Sequence, residues 1–367
     1  MRIGIPSEIM DHEFRVAIVP SGVEELVRDG HRVLVQAGAG AGSRISDADF
    51  VTAGAEIVDS AEQAWAADMV VKIKEPLPSE YGYLRPGLML FTFLHLAAKA
   101  ELLDVLLTKK LRAVSYETIR AGDGSLPILA PMSQVAGKMA VQLGAAFLQC
   151  DQGGMGILLG GVPGTSHGRI VIIGAGNVGI NAAKVAYGLG AQVVIIDSHH
   201  ARLSYVDDIF DGKVVTLMSN RRNIREAVAG CDMLVGAALI AGARAPMLID
   251  RTMLRSMPPG SVFVDVSIDQ GGMSETSRPT NHSAPTYVQE DVIHYCVPNI
   301  PGSVPVTGTY ALTNVSLGYI RKLAAADPMD SLREDAGLRA GVNTWDGQLT
   351  CKEVAATFGR PYSPLDI

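Results

Sequence analysis

The segment that most directly suggests chemistry is Gly174-Ala175-Gly176-Asn177-Val178-Gly179. The apolar run Ile170-Val171-Ile172-Ile173 precedes it as a strand, and Ile180-Asn181-Ala182-Ala183-Lys184-Val185-Ala186 follows as a helix. A second strand pattern, Gln192–Ile196, ends in Asp197, 23 residues past Gly174. A glycine triplet alone is a weak signal, but this context is that of a dinucleotide fingerprint. Gly174 allows the tight turn, Gly176 lets backbone approach a pyrophosphate, and Gly179 lets helix and strand pack closely. Asn177 and Val178 open the helix whose free amides and dipole would hold that pyrophosphate. Asp197 would accept from the adenosine-ribose hydroxyls and repel a 2′-phosphate, which favours NAD over NADP. The plainer alternative is a structural glycine turn.

Other residues have chemistry only in combination. Lys74 follows Met69-Val70-Val71 and would sit at the carboxyl end of a strand, where open α/β sheets bind ligands. His95 follows Leu88–Phe93 between two leucines, a setting that also suits a core histidine. Arg15 has no such context of its own. Asp269 lies in Val264-Asp265-Val266-Ser267-Ile268-Asp269-Gln270-Gly271-Gly272, past a strand, where it could face a cleft or simply form a turn. The loop Val297-Pro298-Asn299-Ile300-Pro301-Gly302 follows a further strand pattern and would close the same site.

To position such groups the chain needs sheets, and its pattern supplies them. Strands are expected at Arg2–Ile5, His31–Val35, Met69–Ile73, Leu88–Phe91 and Arg112–Ser115, alternating with helical stretches. One helix, Pro20–Val27, has Ser21 and Glu24 spaced as a capping box, with Gly30 beyond its end. A second series begins with a linking helix, Ser133–Gln149, and continues with strands at Arg169–Ile173, Gln192–Ile196, Val214–Leu217, Met233–Gly236, Ser261–Val266 and His294–Val297. Within Ser261–Val266, alternation puts Val262, Val264 and Val266 on one face, Phe263 and Asp265 on the other. Gln152–Gly168, with seven glycines, is expected to be an arm or hairpin. Helical patterns at Leu312–Ala325 and Met329–Gly337 would return to the first domain. The expected architecture is α/β: two Rossmann-like, doubly wound parallel-sheet domains with an active-site cleft between them. The first comprises residues 1–130 plus 306–367, the second residues 131–305.

Composition removes several classes. With 31 Lys+Arg against 38 Asp+Glu, the net charge of −7 gives no basic surplus for nucleic acid. Apolar residues make up 48% of the 367, too many for a disordered chain. The longest uncharged run, Val292–Ile320, is interrupted by Pro298, Pro301 and Pro305, which excludes a continuous membrane helix. Glu8 and Asp11 come too early for a secretory signal. Cys150, Cys231, Cys296 and Cys351 are scattered and read as reduced, buried thiols, with no metal-binding spacing. A cytoplasmic location is expected.

Taken together, these blocks resemble the alanine dehydrogenase family over residues 1 to about 325. The resemblance is carried by Ile3-Gly4-Ile5-Pro6-Ser7-Glu8 with Arg15-Val16-Ala17, Lys72–Pro76, Leu94-His95-Leu96-Ala97, Ala130-Pro131-Met132-Ser133, the Gly174–Gly179 loop, Asp265–Gly272 and Glu275–Thr280. The transhydrogenase nucleotide domain and saccharopine-type dehydrogenases are similar more loosely. The resemblance implies interconversion of L-alanine with pyruvate and ammonium using NAD, without a metal, by a homo-oligomer, a hexamer in the family. It implies Arg15 and Lys74 on the substrate, with His95 and Asp269 as the catalytic pair. Ser133, Asp197, Arg202, Ser219, Leu239, Ile268, Asp269, Val297 and Asn299 would join the glycine loop in holding NAD. Phe93 and Gln134 depart from the family's expected tyrosine and acid. Rival readings are a saccharopine- or opine-type dehydrogenase, which would need room for a larger substrate arm, and a non-catalytic NAD-binding protein.

Overall fold

The computed structural model describes residues 1–238 and 245–365. The chain divides into two compact units, Met1–Met132 with Gly302–Ile367, and Ser133–Pro301. In chain order the strands are β1 (Arg2–Ile5), β2 (Arg32–Gln36), β3 (Glu56–Val58), β4 (Met69–Val71), β5 (Met89–Thr92), β6 (Arg112–Ser115), β7 (Arg169–Ile173), β8 (Gln192–Asp197), β9 (Val215–Met218), β10 (Met233–Gly236), β11 (Val262–Asp265), β12 (Thr286–Gln289), β13 (Val292–Tyr295), β14 (Val342–Trp345) and β15 (Gln348–Leu349).

The first unit has an eight-stranded sheet ordered β15-β14-β6-β5-β4-β1-β2-β3, and the second a seven-stranded sheet ordered β12-β13-β11-β10-β7-β8-β9. Both are mostly parallel, with helices, as expected for this α/β class, and each carries antiparallel pairing at one edge. β14 runs antiparallel to β6 and to β15, and β12 antiparallel to β13. The β12–β13 and β14–β15 pairings have a local reason. Asp346 and Gly347 both have positive φ, as do Glu290 and Asp291, giving two-residue turns whose twist suits adjacent antiparallel strands.

Buried residues alternate between the two faces of each sheet, which explains the continuous apolar runs. In the first unit Met69, Val71 and Phe91 join one core, and Val70 and Leu90 the other. In the second, Ile170 and Ile172 point to one core and Val171 and Ile173 to the other. Val262 and Val264 likewise face away from Phe263. A sheet covered on both faces must place its chemistry at the strand ends.

Several local expectations need correction. The first helix is Pro20–Arg28, and its cap is Val19 with no side-chain hydrogen bond. Pro20, with φ already fixed and no amide to satisfy, starts the helix two residues earlier than a Ser21 cap would, so Ser21 lies inside it and the expected capping box does not form. The segment 153–168 contains no strand and is a series of turns, with Gly168 N–H donating to the Leu159 carbonyl at 2.9 Å. Cys231, Cys296 and Cys351 are buried, but Cys150 is exposed. Among the described residues no helix is long and apolar enough to cross a membrane.

Candidate active site

In the first unit β1 lies between β2 and β4, so connections diverge there and leave a crevice at the strands' carboxyl ends. The segments leaving β1, β4, β5 and β6 at that edge carry Arg15, Lys74, His95 and Glu117 respectively. Arg15 is almost fully buried, its Nε and Nη2 donating to the two carboxylate oxygens of Glu13 at 2.7 and 2.5 Å. Its Nη1 lies 3.0 Å from the sulfur of Met132. The Val16 N–H donates to the Thr309 hydroxyl at 3.1 Å, and that hydroxyl lies 2.7 Å from Ser43 Oγ. The guanidinium is thus fixed before any ligand arrives.

Lys74 belongs to a strap that begins with the buried Lys72. Lys72 Nζ lies 2.8 Å from Glu80 and 3.3 Å from Glu8. Burial works against its charge, but the two carboxylates outweigh burial and raise the ammonium's pKa. Burial also raises the Glu8 carboxyl, despite the nearby ammonium. Glu8 additionally accepts the Ile73 N–H at 2.6 Å, tying the strap to the segment after β1. The half-buried Lys74 side chain then emerges from a backbone whose carbonyl accepts the Thr92 hydroxyl at 2.9 Å.

His95 adopts φ 49°, a left-handed conformation rare for a residue with a side chain. Glu117 stabilises that turn by accepting the N–H groups of Leu94 and His95, the latter at 2.7 Å. Phe93 stacks on the imidazole with ring centroids 5.7 Å apart. His95 Nδ1 lies 3.1 Å from Glu75 Oε2, and the other oxygen of Glu75 lies 3.4 Å from Lys99 Nζ. Burial would raise the Glu75 carboxyl, yet the hydrogen bond and charge of His95, with Lys74, hold it down at about 2. Burial would lower the imidazole, and Lys74 acts the same way, but the bond to Glu75 and the charge of Glu117 leave it raised. The sequence alone does not single out Glu75 or Glu117. Glu75 stood beside Lys74 as an acid before proline, whereas nothing local marks Glu117.

In the second unit β7 lies between β10 and β8, and the glycine loop leaves β7 at this switch point. Gly174 has φ +108°, and a Cβ there would lie 2.5 Å from the Ala237 carbonyl oxygen. A Cβ on Gly179 would lie 1.7 Å from the Gly174 carbonyl oxygen, whereas one on Gly176 would meet nothing within 4 Å. The outer glycines therefore serve the chain's own packing, and the middle one opens onto space. The helix Asn177–Gly188 begins at Gly176 without a side-chain cap, so the residues present fit a dinucleotide pyrophosphate. Gly137 supports this helix from the long helix Leu129–Phe147, since a Cβ there would lie 2.1 Å from the Val178 carbonyl oxygen.

Asp197 is the last residue of β8 and is nearly buried. Its Oδ2 accepts the Ala175 N–H at 2.7 Å and its Oδ1 the His199 N–H at 2.8 Å, while Arg202 stands 3.5 Å away. Burial alone would raise this carboxyl; the two backbone donors, then His199 and Arg202, lower it instead. Asp197 thus ties the glycine loop to β8. Ser219 follows β9, and its N–H donates to the Asp197 carbonyl at 2.8 Å. Ser133 lies half-buried on the long helix.

The strand β11 ends in the fully buried Asp265, which accepts from the N–H groups of Ser267 and Met273 and from the Ser277 hydroxyl. Burial pushes its carboxyl up to about 6. Those bonds shape the turn Val266–Gln270, on which Ile268 is buried and Asp269 exposed. Val297 is buried in the core, and Asn299 has φ +70° with its carbonyl 3.2 Å from His282 Nε2. Leu239 lies outside the described residues.

A glycine loop on one mostly parallel sheet, and a cationic and imidazole cluster on another, define a two-unit dinucleotide-dependent protein of the α/β class. Family models sharpen this. Residues 4–136 match the alanine dehydrogenase/PNT N-terminal domain, and residues 140–352 the corresponding C-terminal domain. The chain belongs to this family. It is 52% identical to the alanine dehydrogenase of Bacillus subtilis (strain 168), covering 100% of this chain and 97% of that one. A solved L-alanine dehydrogenase superposes with a TM-score of 0.94 at 48% identity, over 98% of this chain and 99% of that one. The transhydrogenase of Sinorhizobium meliloti gives a TM-score of 0.82 at 25% identity, over 96% and 99%.

Proposed function

We propose that this chain catalyses the reversible, NAD-dependent oxidative deamination of L-alanine to pyruvate and ammonium. The observation that carries the reading is the clustering of Arg15, Lys74 and His95 at one sheet edge, in a chain similar to alanine dehydrogenases over its whole length. The first unit handles substrate and the second NAD.

Each group answers a demand of the reaction. Arg15, buried and braced by Glu13, binds the substrate carboxylate and fixes Cα. Lys74 polarises the carbonyl or imine and stabilises the oxyanion that develops as water adds and ammonia leaves. His95 moves the protons, with Asp269 as the second catalytic group, because imidazole titrates near neutral pH. When bound, NAD supplies the hydride acceptor. Gly174, Gly176, Asn177, Val178 and Gly179 would hold its pyrophosphate, and Asp197, Arg202 and Leu239 its adenosine. Ser133, Ser219, Ile268, Val297 and Asn299 complete its binding.

The protein works in the cytoplasm as a homo-oligomer, a hexamer by family resemblance. Exposed apolar side chains on the second unit, among them Leu158, Val162, Tyr187 and Leu189, support self-association. The test is to follow NADH absorbance with L-alanine and NAD⁺, then with pyruvate, ammonium and NADH. Turnover in both directions is expected. NADH binding without turnover of either mixture would overturn the reading.

A further inference from the structure

We propose that Glu75 is a positioning residue that holds Nδ1–H of His95, so that Nε2 is the atom exchanging protons with substrate, and that Lys99 moderates its hold. This rests on the reading of His95 as the acid/base. Glu75 is buried, so its carboxylate cannot be replaced cheaply by water as a partner. It reaches the ring nitrogen at 3.1 Å. Among the described residues none hydrogen-bonds Nε2, and the imidazole is about one-third exposed. The backbone of His95 is separately clamped by Glu117, and Phe93 covers one face of its ring. Glu75 therefore acts on what remains undetermined: which nitrogen carries the proton, and how firmly.

Three charged groups bear directly on the imidazole's basicity. Glu75 and Glu117 favour the imidazolium, and Lys74 opposes it. Lys99 binds the second oxygen of Glu75 at 3.4 Å and draws charge away from the bond to His95. Held this way, the imidazole takes a proton at Nε2 during alanine oxidation and returns it from Nε2 during reductive amination.

The test uses full-length Glu75→Gln, Lys99→Met and His95→Gln proteins, with NADH titration to establish folding and cofactor binding. Glu75→Gln should lower kcat roughly ten- to a hundredfold. It should also move the acidic limb of kcat/KM for L-alanine down by about one pH unit, since the imidazolium loses its counter-charge. Lys99→Met should move the same limb upward. A Glu75→Gln protein whose limb and kcat match the wild type, while His95→Gln is inactive, overturns this proposal alone. Full activity in His95→Gln overturns the reading beneath it. Should Glu75→Gln fail to bind NADH, ¹⁵N-histidine spectra of the wild type decide: neutral His95 protonated at Nδ1 supports the assignment, and at Nε2 overturns it.

Discussion

Gly179 faces the carbonyl oxygen of Gly174 so closely that a methyl group would sit 1.7 Å from it. Gly179→Ala must therefore push the helix off its strand, with an expected loss of about 1–3 kcal/mol or more and a matching fall in Tm. Gly176→Ala should leave Tm close to wild type, because its Cβ meets no protein atom, yet weaken NADH binding at least tenfold. Equal losses of Tm in both variants would remove the division of labour among these glycines.

Asp197 should set cofactor choice. Its carboxylate beside a 2′-phosphate is a like-charge pair, so kcat/KM with NAD⁺ should greatly exceed that with NADP⁺. Asp197→Ser should narrow the ratio, with Arg202 available to the phosphate, while raising KM for NAD⁺ because Ala175 and His199 lose their acceptor. Comparable use of both cofactors by the wild type would assign discrimination elsewhere.

Arg15→Lys should affect substrate rather than cofactor. A lysine cannot reproduce the paired contacts to Glu13, nor offer a planar fork to a carboxylate. KM for pyruvate should rise about tenfold or more, roughly 1.4 kcal/mol, with the NADH dissociation constant unchanged. An unchanged KM would remove Arg15 from the carboxylate site.

Substrate size tests the reaction most narrowly. Each methylene that does not fit should cost about 1–3 kcal/mol of transition-state binding, and a second charged arm more. L-Alanine and pyruvate should outrun their larger homologues, and saccharopine or an opine should give no measurable turnover. Preference for a lysine-derived or dicarboxylic amino acid would sink the alanine assignment.

The acid limb of stability should report Glu75. Its folded carboxyl is held at about 2, below the usual 4.5, so its contribution is present above 4.5 and lost as pH falls toward 2. That contribution is at most about 3 kcal/mol. The raised imidazole of His95 has the opposite sign, stabilising below 6.5 and fading as pH rises through its folded value. The Tm advantage of wild type over Glu75→Gln should thus shrink across pH 4.5 to 2. A constant difference through that window would mean that the carboxylate is not preferentially ionised in the folded protein.

What the sequence disclosed depended on how locally each feature is encoded. Central strands such as Arg169–Ile173 and Met233–Gly236 are legible because burial on both faces demands an unbroken apolar run. The edge strand Thr286–Gln289 is not, since it is polar and carries the exposed Val288; Gln348–Leu349 has only two residues, although Asp346-Gly347 between it and β14 is a readable hairpin signal. The glycine loop is legible because strand, turn and helix are contiguous. Glu75 and Glu117 reach His95 from 20 and 22 residues away, through the ends of neighbouring strands, so only the folded sheet reveals their partner.

The interrupted first unit also dictates an order of events during synthesis. The second unit is a continuous stretch, complete once Pro301 is available, whereas the first waits for the end of the chain. Until Val342–Trp345 emerges, Arg112–Ser115 is a sheet edge without its final neighbour, and the apolar cluster around Ala113 still lacks Leu349, Val354 and Ala355. An unpaired edge beside uncovered apolar surface is a template for association between nascent chains. A ribosome stalled before residue 342 would hold a protein with its second unit complete and its first still open, a state in which chaperone binding and aggregation compete with completion.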